Sequence, residues 1–117
     1  MFWKGGGIVM SDTNLSALSS LGVVQQVSAN NIANVNTDGF KSSSVMLESG
    51  PGDQGVRVAA IHENTRSGPM VNEVEGSNTD IATEMVGMIR TGHAFSANIA
   101  AIRVSEEMNG HLVDMMA

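Results

Sequence analysis

Ser28-Ala29-Asn30-Asn31-Ile32-Ala33-Asn34-Val35-Asn36-Thr37-Asp38-Gly39-Phe40-Lys41 carries a helical pattern into a turn, and its asparagines mark the change. Upstream, Leu15, Leu18, Leu21, Val24, Val27 or Ser28, Ile32 and Val35 recur at spacings of three and four, which lays one apolar stripe along a helix. Asp38-Gly39 is a turn signal, because Gly supplies positive φ without steric cost. The helix therefore ends near residue 35. Its start is expected at Ser11-Asp12-Thr13-Asn14, whose side-chain oxygens suit the orphan amides of a first turn. That leaves residues 1–10 as a flexible tail and 11–41 as helix plus Asn-rich turn, with either Met1 or Met10 as the natural start. Gly22 inside the helix costs about 1 kcal/mol relative to Ala, which is tolerated where another backbone packs closely.

Residues 42–77 differ in kind. Ser42-Ser43-Ser44 and Ser49-Gly50-Pro51-Gly52-Asp53 read as loop. Gly55 to Ile61 offers a β-like run with Val56 and Val58 on one side, and Met70 to Val74, after Gly68-Pro69, a second short extended piece. From Ser77-Asn78-Thr79-Asp80, all cap candidates, a helix runs without proline through Ala117. Ile81, Met85, Met88, Gly92, Phe95, Ile99 and Ile102 form a near-heptad stripe, which Met108, Leu112 and Met115 continue after a shift in phase. At 1.5 Å per residue this segment, residues 78–117, reaches about 50 Å, longer than a compact domain of this size needs. The fold expected is mainly α: an elongated antiparallel two-helix, coiled-coil-like hairpin of N- and C-terminal helices with a small β element between them.

Composition agrees with an extended helical seam. Of the 117 residues 42% are hydrophobic but only 3% aromatic, so burial falls to Ala, Val, Ile, Leu and nine methionines. A net charge of −6 with six scattered basic residues argues against a nucleic-acid surface. Cysteine is absent, which removes disulfides and thiolate metal sites. Three glycines interrupt the apolar start that a cleaved signal peptide needs, and no run reaches the ~18 apolar residues of a membrane span. No membrane insertion is expected.

Two boxes resemble the bacterial flagellar rod and hook axial family, in the family's order. Residues 29–41 are similar to its N-terminal phrase Ala-Asn-Asn-Ile-Ala-Asn-x-Asn-Thr-x-Gly-Phe-Lys. Ser77 to Ile89 is similar to its Asn-Val-Asp-x-x-x-Glu-Met-Val-x-Met-Ile, and Ala94-Phe95-Ser96-Ala97-Asn98 stands where the family usually has Ala-Tyr-x-Ala-Asn. His93 occupies a slot that is commonly Arg, and Phe95 replaces the Tyr, so polar contacts made by those groups are lost while helical packing is kept. Without the large inserts of hook and distal-rod proteins, the chain looks most like a short proximal-rod subunit. The resemblance implies a structural subunit that is exported unfolded by the flagellar type III apparatus without a cleaved signal. It then polymerises in the periplasm with itself and other rod proteins. It also implies assembly contacts at Leu18, Leu21, Val24, Asn31, Ile32, Asn34, Asn36, Gly39, Phe40, Met85, Met88, Phe95, Asn98, Ile99, Ile102 and Leu112. The competing reading is a helical adaptor associated with type III secretion.

No catalytic, cofactor or metal residues are expected. Asn34-x-Asn36-x-Asp38-Gly39 mimics the opening of a calcium loop, but its twelfth position is Val45 rather than the closing Glu. His62, His93 and His111 show no ligand spacing, and no serine has a His and an acid arranged with it. Glu106-Glu107, and Asp80 with Glu84, read as a solvated helix face or a favourable charge at a helix start. Asn34 and Asn36 are read as caps. For Asn31, capping and a contact to the C-terminal helix or a neighbour both stay open.

Overall fold

The computed structural model describes residues 5–50, 52 and 54–116, with side chains from 13 to 112. Met1 to Lys4, Pro51, Asp53, Ala117 and the Met115 side chain lie outside the described residues. Along the chain come α1 (Gly5–Ala33), β1 (Ser43–Ser49), β2 (Val56–Glu63), β3 (Met70–Val71), β4 (Val74–Glu75) and α2 (Ile81–Met116). The helices take 29 and 36 residues, so the fold is mainly α with small antiparallel β pieces between them.

The two helices lie side by side in opposite directions. Asn31, near the end of α1, meets Glu84 near the start of α2, while Gly22 and Gln25, earlier in α1, share a cleft with Thr91, Gly92 and Phe95. The helix α1 starts six residues before the expected cap at Ser11. Three glycines lower helix propensity but do not break the backbone ladder as proline does, so Ser11 to Asn14 fall inside the helix instead of capping it. At the other end Asn34 N–H donates to Asn30 O, Val35 N–H to Ile32 O, and Gly39 takes φ +70°.

The β segment corrects the loop expected at Ser43, Ser44 and Ser49. All three belong to β1, which pairs antiparallel with β2 from Ser43↔Glu63 to Ser49↔Val56, with a bulge where Ala59 falls between Ala60↔Met46 and Val58↔Leu47. Serine has little strand preference of its own, and pairing with β2 supplies what the side chains do not. This ribbon is fastened to α1 by serines. Ser20 Oγ donates to Val56 O at 3.0 Å, and Val56 N–H donates to Ser16 Oγ at 3.1 Å. Gly55 permits the approach: a Cβ there would lie 2.5 Å from Ser16 Oγ. The expected extended piece at 70–74 is a tight hairpin, β3 against β4 around Asn72-Glu73, both at positive φ.

The body measures 73 × 25 × 13 Å, little more than one helix thick in its shortest direction. Among the described residues no hydrophobic side chain is buried; those that are buried are Ser20, Asn31, Ser42, Ser77, Thr91 and Ser105. On α2 the covered positions Glu84, Met88, Thr91, Ala94, Asn98, Ile102 and Ser105 step by three or four along one face. This is not the expected apolar stripe, since Ile81, Met85, Phe95 and Ile99 stay exposed. The seam between the helices mixes half-buried apolar side chains such as Met88 and Ile102 with small and polar groups that bond back to their own helix, Thr91 Oγ1 to Gly87 O and Asn98 Nδ2 to Ala94 O. Accessible surface totals 8135 Å², about 2,000 Å² above the roughly 6,100 Å² of a compact chain of 12.2 kDa.

Candidate functional site

A cluster of polar contacts forms the joint where α1, the ribbon and α2 meet. Asn31 stands at its centre, 1% exposed. Its Nδ2 donates to Ser43 O at 2.7 Å and to Glu84 Oε1 at 3.0 Å, and its Oδ1 accepts from Ser43 N–H at 2.9 Å. One amide side chain thus copies a strand partner for the first residue of β1 and holds α2 in the same grip. Buried amides are stable only when paired in this way. Glu84 is half-buried and bonded to Asn31, not a solvated carboxylate.

A second layer surrounds this centre. Asn78 Oδ1 accepts from Ser42 N–H at 2.7 Å, its Nδ2 donates to Asn64 O and Arg66 O at 2.8 Å each, and its own N–H donates to Phe40 O at 3.1 Å. Lys41 Nζ bridges Arg66 O and the Glu75 carboxylate. Glu75 Oε2 also accepts from Gly68 N–H at 2.9 Å. The Lys41 ammonium and the Gly68 N–H together hold the Glu75 carboxyl below its ordinary value of 4.5. Gly68 is pressed so close that a Cβ there would lie 2.2 Å from Gly76 O. Asp80 caps α2, its Oδ1 accepting from Ala82 N–H at 3.1 Å and Thr83 N–H at 3.3 Å. Hydrogen bonds from Thr83, then Ala82, keep the Asp80 carboxyl below its ordinary 3.8.

Of the residues singled out from the sequence, Asn31 makes the contact to the C-terminal helix, and to β1 as well. Asn34 is local: its Nδ2 donates to Asn30 O and its Oδ1 accepts from Thr37 Oγ1, which occupies the first oxygen of the apparent calcium loop with a turn bond. Asn36 is exposed, Gly39 N–H donates to Glu75 O, and Phe40 lends its carbonyl to Asn78. Leu18, Leu21, Val24 and Ile32 on α1 are half-buried, as are Met88, Asn98 and Ile102 on α2. Met85, Phe95, Ile99 and Leu112 are exposed. Sequence reading missed Lys41, Glu75, Asn78 and Glu84 as members of the joint. Lys41 and Asn78 close and open the two boxes already singled out, so position in the motif was the available signal; Glu75 carried none.

Chemically the joint can position the elements that meet there. Its groups are amides, backbone carbonyls, carboxylates and the Lys41 ammonium, all engaged in hydrogen bonds, and among the described residues no three His, Asp or Glu side chains gather to hold a metal ion. Among those residues no helix is long and apolar enough to cross a membrane. Residues 12–41 match the family model for the flagella basal body rod protein, and residues 71–116 match that for the flagellar basal body rod FlgEFG protein C-terminal. No curated protein sequence matches the chain.

Proposed function

Since this chain belongs to the flagellar basal body rod protein family, and so is a structural subunit of the flagellar basal body that associates with other rod proteins, we propose that it enters the rod through its two terminal helices, packed in coiled-coil fashion against those of its neighbours. The observation that carries this reading is the pattern of burial: among the described residues the fully buried side chains are polar, while Ile81, Met85, Phe95, Ile99 and Leu112 are exposed. Covering such surface is what association rewards. Within the rod, α1 residues Leu18, Leu21, Val24 and Ile32 back the seam, and the joint around Asn31 fixes the angle between helices and ribbon. An extended body touches several neighbours at once, so individually modest contacts add up as avidity.

The finer placement is a short proximal-rod subunit, exported unfolded through the flagellar type III apparatus without a cleaved signal and assembled in the periplasm. The short connection between β4 and α2, the two boxes and the absence of cysteine support it. Mass spectrometry of purified basal bodies tests the whole reading: the tagged full chain is expected in the rod, and the same chain lacking residues 78–117 is expected to be absent. Normal incorporation of the shortened chain refutes the role given to the terminal helices. Recovery of the full chain only from cytosol or export-gate fractions favours the adaptor instead.

A further inference from the structure

Helix α2 loses its cover over its last described turns. From Glu84 to Ser105 a covered position returns at least every four residues, but every residue from Glu106 to Leu112 is exposed. The opposite helix supplies a reason. Gly6 lies twenty-five residues before Asn31, and Asn109 lies twenty-five after Glu84, the partner of Asn31. The Gly5-Gly6-Gly7 run of α1 therefore stands level with Asn109 and has no side chain to lay over it. Asn109-Gly110 is the one Asn-Gly pair in the sequence. A Cβ on Gly110 would meet nothing within 4 Å, so the glycine serves no close packing there while it weakens the helix.

We propose that Asn109 is a self-modifying site, which converts to aspartate or isoaspartate through a succinimide when the end of α2 unwinds. The Gly110 nitrogen attacks Asn109 Cγ and closes a five-membered ring; the bond from Cγ to Nδ2 breaks, and the side-chain nitrogen leaves as ammonia with the peptide proton. Water then opens the ring at either carbonyl, and no other reactant is needed. In the closed helix the attack is blocked, because ψ of about −42° aims the Gly110 N–H along the axis at the Glu106 carbonyl and away from the Asn109 side chain. Unwinding brings the two atoms together, and an end without tertiary cover opens at little cost. Glycine also removes the Cβ that would crowd the attacking nitrogen. Asp38-Gly39, which has the chemistry for the same ring, is held instead: Gly39 N–H donates to Glu75 O at 2.8 Å, and its φ is fixed at +70°. At position 109 the step runs one way. It adds a carboxylate to a chain already at −6, three residues after Glu106, at a helix end whose last turn has no basic residue. Isoaspartate further lengthens the backbone by one methylene. Each change opposes rewinding, so the modified end records the time a copy has spent uncovered.

The test is incubation of the purified full-length chain at neutral pH, folded and in urea, with peptide mapping by mass spectrometry and isoaspartyl methyltransferase labelling. Of the ten asparagines, Asn109 is expected to convert first, at a folded rate within about a hundredfold of its rate in urea, since frayed ends open far more readily than whole molecules. Gly110→Ala is expected to slow conversion about fivefold or more, the factor by which helix propensity alone closes the end. A faster asparagine elsewhere, a folded rate more than about a hundredfold below the urea rate, or an unchanged rate in Gly110→Ala overturns the proposal. Asn109→Asp copies one product and is expected to speed hydrogen exchange of amides 106–112 about twofold or more. Unchanged exchange there overturns the one-way step.

Discussion

Replacing Asn31 with Ala removes the one side chain that binds α1, β1 and α2 together. Two of its hydrogen bonds go to the Ser43 peptide and one to the Glu84 carboxylate. Neutral bonds contribute about 1 kcal/mol each and a bond to a charged group about 2 kcal/mol, so the expected loss is about 3 to 5 kcal/mol, the upper value applying if the Ser43 groups stay dry and unpaired. Domains of this size have about 5 to 15 kcal/mol in total, and a chain whose described residues fully bury no hydrophobic side chain belongs at the low end. Asn31→Ala therefore removes a large share of the folding free energy. Urea unfolding followed by circular dichroism reads the size of the effect, and hydrogen exchange at the Ser43 amide reads its location. Asn31→Asp separates shape from donor chemistry. It keeps an acceptor for Ser43 N–H but turns a second oxygen toward Ser43 O and the Glu84 carboxylate, so at neutral pH it is expected to be at least as damaging as Ala. Asn34→Ala, which loses only local exposed bonds, is expected to cost about 1 kcal/mol or less. An Asn31→Ala chain within about 1 kcal/mol of the parent, with the Ser43 amide still protected, refutes the joint as described.

Three further outcomes follow from the same contacts. Gly68→Ala forces a Cβ against the Gly76 carbonyl and is expected to destabilise by about 2 to 3 kcal/mol, whereas Gly110→Ala meets nothing and stabilises α2 by about 1 kcal/mol; paired thermal melts check both. Glu73→Gly relieves a bulky residue held at φ 66° in a two-residue hairpin turn and is expected to raise stability by about 1 kcal/mol, seen as a higher urea midpoint. Glu75 and Asp80 have carboxyls held below their ordinary values, so the stability they contribute is complete above those ordinary values and is lost as pH falls through the depressed ones. Denaturant midpoints measured from pH 6 down to about pH 2 are expected to fall, and the fall is expected to be shallower in Glu75→Gln.

Both helices were legible in the sequence because a three-and-four apolar spacing is a long-range signal, and Asp80 because a cap acts on its own next residues. The reading of β1 failed for the opposite reason. Ser43, Ser44 and Ser49 become strand through pairing with β2 and, at Ser43, with Asn31, contacts that sequence neighbours do not encode. The start of α1 was misplaced because Ser11 to Asn14 suit a cap and an interior position equally, and local chemistry alone does not choose between them. Within the joint, Asn31 stood out by its motif. Its partner Glu84 was set aside as a surface charge, since burial depends on which face of α2 turns toward α1.

That choice of face also explains how a chain whose described residues fully bury no hydrophobic side chain holds a definite shape. Thr91 and Asn98 satisfy their hydrogen bonds on their own helix, so they can line the seam without demanding a partner across it. Asn31, Ser20 and Asn78 then specify which backbone groups meet, because each offers donors or acceptors at fixed geometry. Apolar burial is non-directional and would fix the arrangement less tightly, but it is the larger source of free energy. Directional bonds thus set the form of the single chain, while large apolar side chains such as Met85, Ile89 and Met108 are left exposed. On the packing proposed above, stability is expected to rise with the concentration of the chain or of its rod partners, since binding to the folded state shifts the folding equilibrium by mass action.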